Sequence, residues 1–322
     1  MTSTMSAGTR ERRTGAPASR PAGGRRVRAG SARSRRAVAG WVFSLPFLVL
    51  YALFELVPVI ASVAISFTDM RSTDLRDPLA VDPAGFDNYS RILSDDVFWK
   101  AVGNTFYFTA VSVPLTLVCG LALAVALNSG IARFKTFFRV GYYLPVVSSI
   151  IAVAVVWNYL LNDDMGLINT VLGWVGIDGP DWLNSTTWAM PALIAMAVWR
   201  HMGFAMVIFL AGLQGVPQEM YEAATLDGTT KWQAFRHITL PMLRPTMLFM
   251  VVISMIGNLQ FFEEPFVMTQ GEPLNSTTSI AYQIYEAFGT GQYGYAAAMS
   301  YVLFLLIALL TLVQFRLLRE KE

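Results

Sequence analysis

An all-α, polytopic membrane helix bundle with six transmembrane helices is the fold class predicted by three observations. The 322 residues are 54% hydrophobic and 14% charged, whereas an ordinary soluble domain carries about 25% charged residues. Six segments, near 37–68, 103–128, 136–161, 187–213, 245–268 and 295–318, are long and apolar, and a helix of about 20 residues crosses a bilayer. The charge between these segments is sorted by side, which a soluble helical protein has no reason to do.

The N-terminal segment 1–36 holds ten of the 24 basic residues, all arginine, and a single acid, Glu11. Its Gly, Ala, Ser and Pro cannot build a core, so a disordered cytoplasmic tail is expected, with charges able to meet anionic headgroups. It lacks the interleaved aromatics or folded platform of a nucleic-acid binder, so no nucleic-acid partner is expected. Arg35 and Arg36 precede an apolar stretch, as in a secretion signal. That stretch runs to about Phe67, too long for a signal core, so a retained first span is predicted.

The membrane domain is expected over 37–318, followed by a short tail, 319–322. Basic residues recur at Arg133, Lys135 and Arg139, at Lys231, Arg236 and Arg244, and at Arg316, Arg319 and Lys321. The segment 162–186 carries Asp163, Asp164, Asp178 and Asp181 without Lys or Arg, and 269–294 is also free of basic charge. The positive-inside rule then places both termini and the loop 214–244 in the cytoplasm. Pro46, Pro58, Pro114, Pro145, Pro191 and Pro265 fall in the spans and predict kinks, which a packed bundle tolerates.

The loop 214–244 has local order of its own. Pro217 opens a helix of good helix formers from Gln218 to Leu226, and Asp227-Gly228 closes it through a left-handed backbone. Thr230 and Gln233 have the spacing of a capping box, and Trp232, Phe235 and Ile238 recur at helical spacing before Pro241 and Pro245, which are expected to stop the second helix. Such a helix–turn–helix is either a docking knob or a connecting loop.

No catalytic constellation is visible. The two histidines, His201 and His237, lie on different predicted elements, and Cys119 is the one cysteine, so no metal-ligand spacing arises. Neither a phosphate-cradling glycine loop nor a nucleophile elbow is present. Glu55 and Arg200 are charges inside spans and are functional candidates by default, Arg200 as a pathway residue or as half of a structural ion pair. His201 beside it reads as a core histidine. Ser254, Gly257, Asn258 and Phe261 stand at i, i+3, i+4 and i+7 and share one helical face. That mix of small, polar and aromatic groups suits a sugar ring, whose hydroxyls need directed partners. Close helix packing, with Asn258 bonding across an interface, is the alternative. Gln260, Glu263 and Glu264 continue toward the outer side as an entrance or its polar rim.

Glu222-Ala223-Ala224, three residues, Gly228, nine residues, Ile238, one residue and Leu240-Pro241 resemble without a gap the EAA loop of inner-membrane permease subunits of binding-protein-dependent ABC importers. Gly85-Phe86-Asp87-Asn88-Tyr89, Phe98-Trp99, Asn104-Thr105, Leu144-Pro145, Ala211-Gly212-Leu213 and Met268-Thr269-Gln270-Gly271-Glu272-Pro273 extend the resemblance over roughly 40–318. They are similar to the carbohydrate-uptake branch, the maltose and glycerol-phosphate type, and most to the first of its two permeases. Glu272 stands where that family usually shows a second glycine.

The resemblance implies a type I importer permease fold in a cell membrane, with a non-catalytic chain. Its implied partners are a second, similar permease, a cytoplasmic ATPase dimer that binds ATP and Mg, an extracytoplasmic solute-binding protein and a sugar. It implies that Glu222 and Gly228 serve a coupling helix, Glu222 facing the ATPase and Gly228 allowing the turn, with Ala223 and Ala224 as a small face, Asp227 on the rim, and Ile238, Leu240 and Pro241 completing the motif. It also implies a sugar site at mid-membrane at Arg200, His201, Phe204, Ser254, Gly257, Asn258 and Phe261, together with residues following Leu144-Pro145. Rival readings are an importer of amino acids or peptides, which Arg200 supports, an ion-coupled secondary transporter, supported by Glu55 alone, and a membrane enzyme, for which no constellation exists.

Overall fold

The computed structural model describes residues 29–76, 81–128 and 134–318, which fall into two units, one ending at Pro58 and one beginning at Val59. Seven of the ten tail arginines, together with Arg133, Arg319 and Lys321, lie outside the described residues.

The first helix, α1 (Ala29–Tyr51), starts ahead of the expected boundary at residue 37. Ala and Arg are good helix formers, so an apolar helix propagates back through them at little cost. A π-helical turn, Ala52–Leu56, carries Glu55, and α2 (Val57–Ser66) follows.

The second unit continues with α3 (Asp87–Ser94), α4 (Asp96–Asn128), α5 (Lys135–Val147), α6 (Ile150–Leu160), α7 (Leu167–Trp174) and α8 (Ala189–Gln214). Then come α9 (Gln218–Leu226), α10 (Lys231–Ala234), α11 (Leu240–Met242), α12 (Arg244–Leu259), α13 (Glu263–Met268), α14 (Ile280–Gly289) and α15 (Tyr293–Leu318). No strand occurs among the described residues, and one isolated bridge joins Thr68 to Pro83.

Four stretches, Gly40–Ser66, Asp96–Asn128, Ala189–Gln214 and Tyr293–Arg316, are single spans by length and hydropathy. The predicted third span is instead a pair, α5 and α6, bent by 100°, and the helix entering the fifth is bent by 65° between Met242 and Arg244. Pro145 explains the first bend: it has no N–H for the turn before it, and three residues later Ser148 takes an extended backbone. The fifth span breaks again at Gln260–Phe262, so 245–268 is not one helix but α12 and α13.

Other prolines act more gently than expected. Pro114 lies inside an α4 that stays one helix over 33 residues. Pro191 and Pro265 sit in the first turns of α8 and α13, where no helical acceptor is lost. Pro241 and Pro245 flank the place where the second helix of the loop ends: the chain runs from α10 through a π-helical turn, Phe235–Thr239, into α11, which stops at Met242 at the 65° bend, and both prolines occupy helix-starting positions.

At the centre α8 packs along α4, with α12 against both and α5 against α8. In hydrocarbon an apolar side chain gains little by leaving lipid, so close backbone approach through small residues must hold such helices together. Gly120 shows this, since a Cβ there would stand 2.5 Å from Ala205 Cβ and 3.0 Å from Met206 N. Gly203 likewise faces the backbone of Tyr142 and Tyr143 on α5. Around these contacts Ala124, Leu127, Met206, Phe209, Leu243 and Met250 form one buried cluster, and Phe108, Met190, Leu193, Ile194, Ala197 and Phe261 form another. A third, around Ile92, Phe98, Ile280 and Met299, joins α3 and α4 to α14 and α15.

Gly120→Ala is therefore expected to lower the melting temperature of the purified chain by several degrees, because overpacking costs about 1–3 kcal/mol. Gly103→Ala on the same helix, where an added Cβ meets nothing within 4 Å, leaves it within about a degree. Thermal unfolding in detergent compares the two.

Candidate functional site

The breaks in the fifth span open a cavity of about 380 Å³ beside α4 and α8. All seven residues implied as a sugar site, Arg200, His201, Phe204, Ser254, Gly257, Asn258 and Phe261, line it. None of the residues following Pro145 does. Gln260, Glu263 and Glu264 are also on the wall, and Glu264 is turned inward at 5% exposure rather than lying on a wet rim.

Each wall residue can be traced to its helix. On α8, Arg200 donates from Nη1 to Glu263 Oε2 at 2.7 Å, which joins the middle of the fourth span to the start of α13. His201 is exposed on the cavity, its Nδ1 2.9 Å from the Ala197 carbonyl oxygen, so it is not the buried core histidine expected. Phe204 follows one turn later and is half-buried.

On α12, two readings of the shared face are both present in different residues. Asn258 bonds across the helix interface, its Oδ1 accepting from Ser112 Oγ on α4 at 2.6 Å, and its Nδ2 donates to the Ser254 carbonyl at 2.7 Å. Gly257 is not a packing glycine: an added Cβ would meet nothing within 4 Å, and the position opens on the cavity. Phe261 is 4% exposed and stacks on Phe108 with ring centroids 4.0 Å apart. One of its faces is therefore spent inside the bundle.

The wall on α4, with Phe108 and Thr116, was not anticipated. A signal existed in the buried polar stripe Thr105, Thr109, Ser112 and Thr116, spaced at one face of a helix that is otherwise strongly apolar. Among the described residues, no group of three or more His, Cys, Asp or Glu side chains could hold a metal ion.

The second candidate site is the turn at 218–241. Gly228 takes φ +74°, Gly228 N–H donates to Thr225 O at 3.1 Å and Thr229 N–H to Ala224 O at 3.0 Å, which closes α9 with a Schellman pair. Thr230 and Gln233 form the reciprocal capping box that starts α10. Tyr221 and Thr239 share a 2.9 Å hydroxyl bond, so the two arms of the turn are tied together.

Glu222, Ala223, Asp227 and Gly228 are exposed, and Glu222 Oε1 accepts from Gln218 at 3.0 Å. Ala224 is buried within this chain, and Ile238, Leu240 and Pro241 are half-buried where the turn rejoins the bundle. The tip also presents Leu226 at 90% exposure and Trp232 at 68%. In the turn after α13, Glu272 Oε2 accepts Leu274 N–H at 2.6 Å, while Gly271 holds φ +83°.

The fold and the cavity define a multi-pass membrane permease. Residues 116–320 match the family described as "Binding-protein-dependent transport system inner membrane component", and the chain belongs to that family. It is 36% identical over 291 residues to the lactose transport system permease protein of Rhizobium radiobacter, covering 88% of this chain and 95% of that protein. It is 32% identical over 280 residues to the arabinooligosaccharides transport system permease protein of Halalkalibacterium halodurans, covering 86% of each. Its fold matches, at TM-score 0.76 and 24% identity, a chain of a bacterial ABC transporter involved in the import of the acidic polysaccharide alginate, covering 90% of this chain and 98% of that one.

Ser112→Ala leaves Asn258 Oδ1 without its donor, and about 1 kcal/mol of stability should be lost. In a double-mutant cycle with Asn258→Leu, the second change should cost less once the first is present, which thermal unfolding of the four proteins measures.

Proposed function

We propose that the chain forms half of a path by which a saccharide crosses the cell membrane, and that it transmits the movement of a separate ATPase to that path. The observation that carries the reading is the single cavity into which α8, α12 and the break after α12 bring the seven residues. Amide and guanidinium groups there can meet hydroxyls, and aromatic edges can meet the apolar faces of a ring. The relatives named for lactose and arabinooligosaccharides support a saccharide as the solute. The pairing of Arg200 with Glu263 argues against amino acids and peptides, because the cavity's arginine is already neutralised within the chain.

The turn at 218–241 suits a coupling element. A Schellman close, a capping box and the Tyr221–Thr239 bond make it stiff, and a stiff knob transmits displacement where a loose loop would absorb it. Glu222, Ala223, Asp227, Leu226 and Trp232 are the groups it offers to a cleft in the ATPase. Ala224, the other half of the small face, is buried within this chain.

ATP and Mg bind on the ATPase, and this chain breaks no bond and holds no cofactor. Closure of the ATPase dimer shifts the two coupling helices, one from this chain and one from a second permease, and the paired bundles open toward a solute-binding protein. Both termini and the 214–244 loop face the cytoplasm in this arrangement.

Gly228→Pro tests the coupling role. Proline fixes φ near −65°, incompatible with the +74° observed, so the turn must distort. Saccharide uptake by the assembled importer should fall to background while the protein still reaches the membrane at normal abundance. Normal uptake in that variant would refute the assignment.

A further inference from the structure

The one ion pair on the cavity wall carries a consequence for which solutes can enter. Arg200 keeps its charge at any physiological pH, and a guanidinium held in a low-dielectric wall must be balanced. Its side chain is 13% exposed, its Nε is buried without a hydrogen-bond partner, and Nη1 meets Glu263 Oε2 at 2.7 Å. Glu263 in contrast is 52% exposed and starts α13 at the break of the fifth span. The remaining ionisable groups on the wall are His201, beside Arg200, and the buried Glu264, which follows Glu263.

We propose that Glu263 is a specificity-determining residue, which keeps the cavity selective for neutral saccharides by occupying Arg200. This rests on the saccharide reading of the cavity given above. A solute carboxylate would have to displace a carboxylate tethered next to its partner, and tethering gives Glu263 a high effective concentration. A hydroxyl does not compete, since it can donate to the exposed lone pairs of Glu263 and leave the pair intact. Removing the Glu263 charge therefore turns Arg200 into an unpaired cation that favours an anionic solute.

The test uses the full-length chain in detergent and two probes that differ only at C6, methyl β-glucoside and methyl β-glucuronide, with binding followed by saturation-transfer NMR. The wild type should prefer the glucoside. Glu263→Gln should raise the affinity for the glucuronide relative to the glucoside about ten- to hundredfold, the range of a hydrogen bond to a charged group. Glu263→Asp should keep the wild-type preference, and Arg200→Gln combined with Glu263→Gln should abolish the gain. An unchanged ratio in Glu263→Gln, with the glucoside still bound, overturns the role of Glu263 alone. Failure of both probes to bind any variant overturns the saccharide reading, and this proposal with it.

Discussion

The close approach of α4 and α8 at Gly120 and Ala205 is the contact on which the remaining architecture depends. With the two backbones this near, one face of the pair presents Phe108, Ser112 and Thr116 beside Arg200, His201 and Phe204, and α12 can lay Asn258 against Ser112. The same α8 ends at Gln214, four residues before the α9 arm of the turn at 218–241. Under the proposed coupling, a displacement of the turn is delivered to a helix that carries part of the cavity wall. A gap between α4 and α8 would leave the cavity without a floor.

Local chemistry made the turn at 218–241 readable almost atom by atom. Gly228 in a left-handed backbone and the Thr230–Gln233 box are satisfied by neighbours within a few residues, so spacing alone specifies them. The spans were readable because length and hydropathy are properties of a segment. Their interruptions were less so. Six prolines predicted kinks, yet only Pro145 precedes a sharp break, while Pro191 and Pro265 fall where a helix starts. A proline's effect depends on whether its turn still needs the missing N–H, which composition does not reveal.

The cavity was legible in part. Helical periodicity placed Ser254, Gly257, Asn258 and Phe261 together, but glycine has the same letter whether it admits a neighbour or leaves a space. Gly203 does the first and Gly257 the second. The partner of Arg200 lies 63 residues away, and the partner of Asn258 lies 146 away, distances over which no local rule operates. His201 was misread for a related reason: burial belongs to the assembled bundle, and the cavity opens beside a position that an apolar sequence window would hide. The α4 wall was overlooked because threonine and serine barely lower the hydropathy of a long apolar span, although their spacing marked one face.

The central claim is that water and solute reach the space between α4, α8 and α12. Cysteine accessibility tests it directly. In a Cys119→Ser background, Gly257→Cys should react with a membrane-impermeant thiol reagent in the reconstituted importer and be protected by transported saccharide, whereas Ala205→Cys, at a position with 0% exposure, should not react. An unreactive Gly257→Cys, or one that no saccharide protects, would contradict the account.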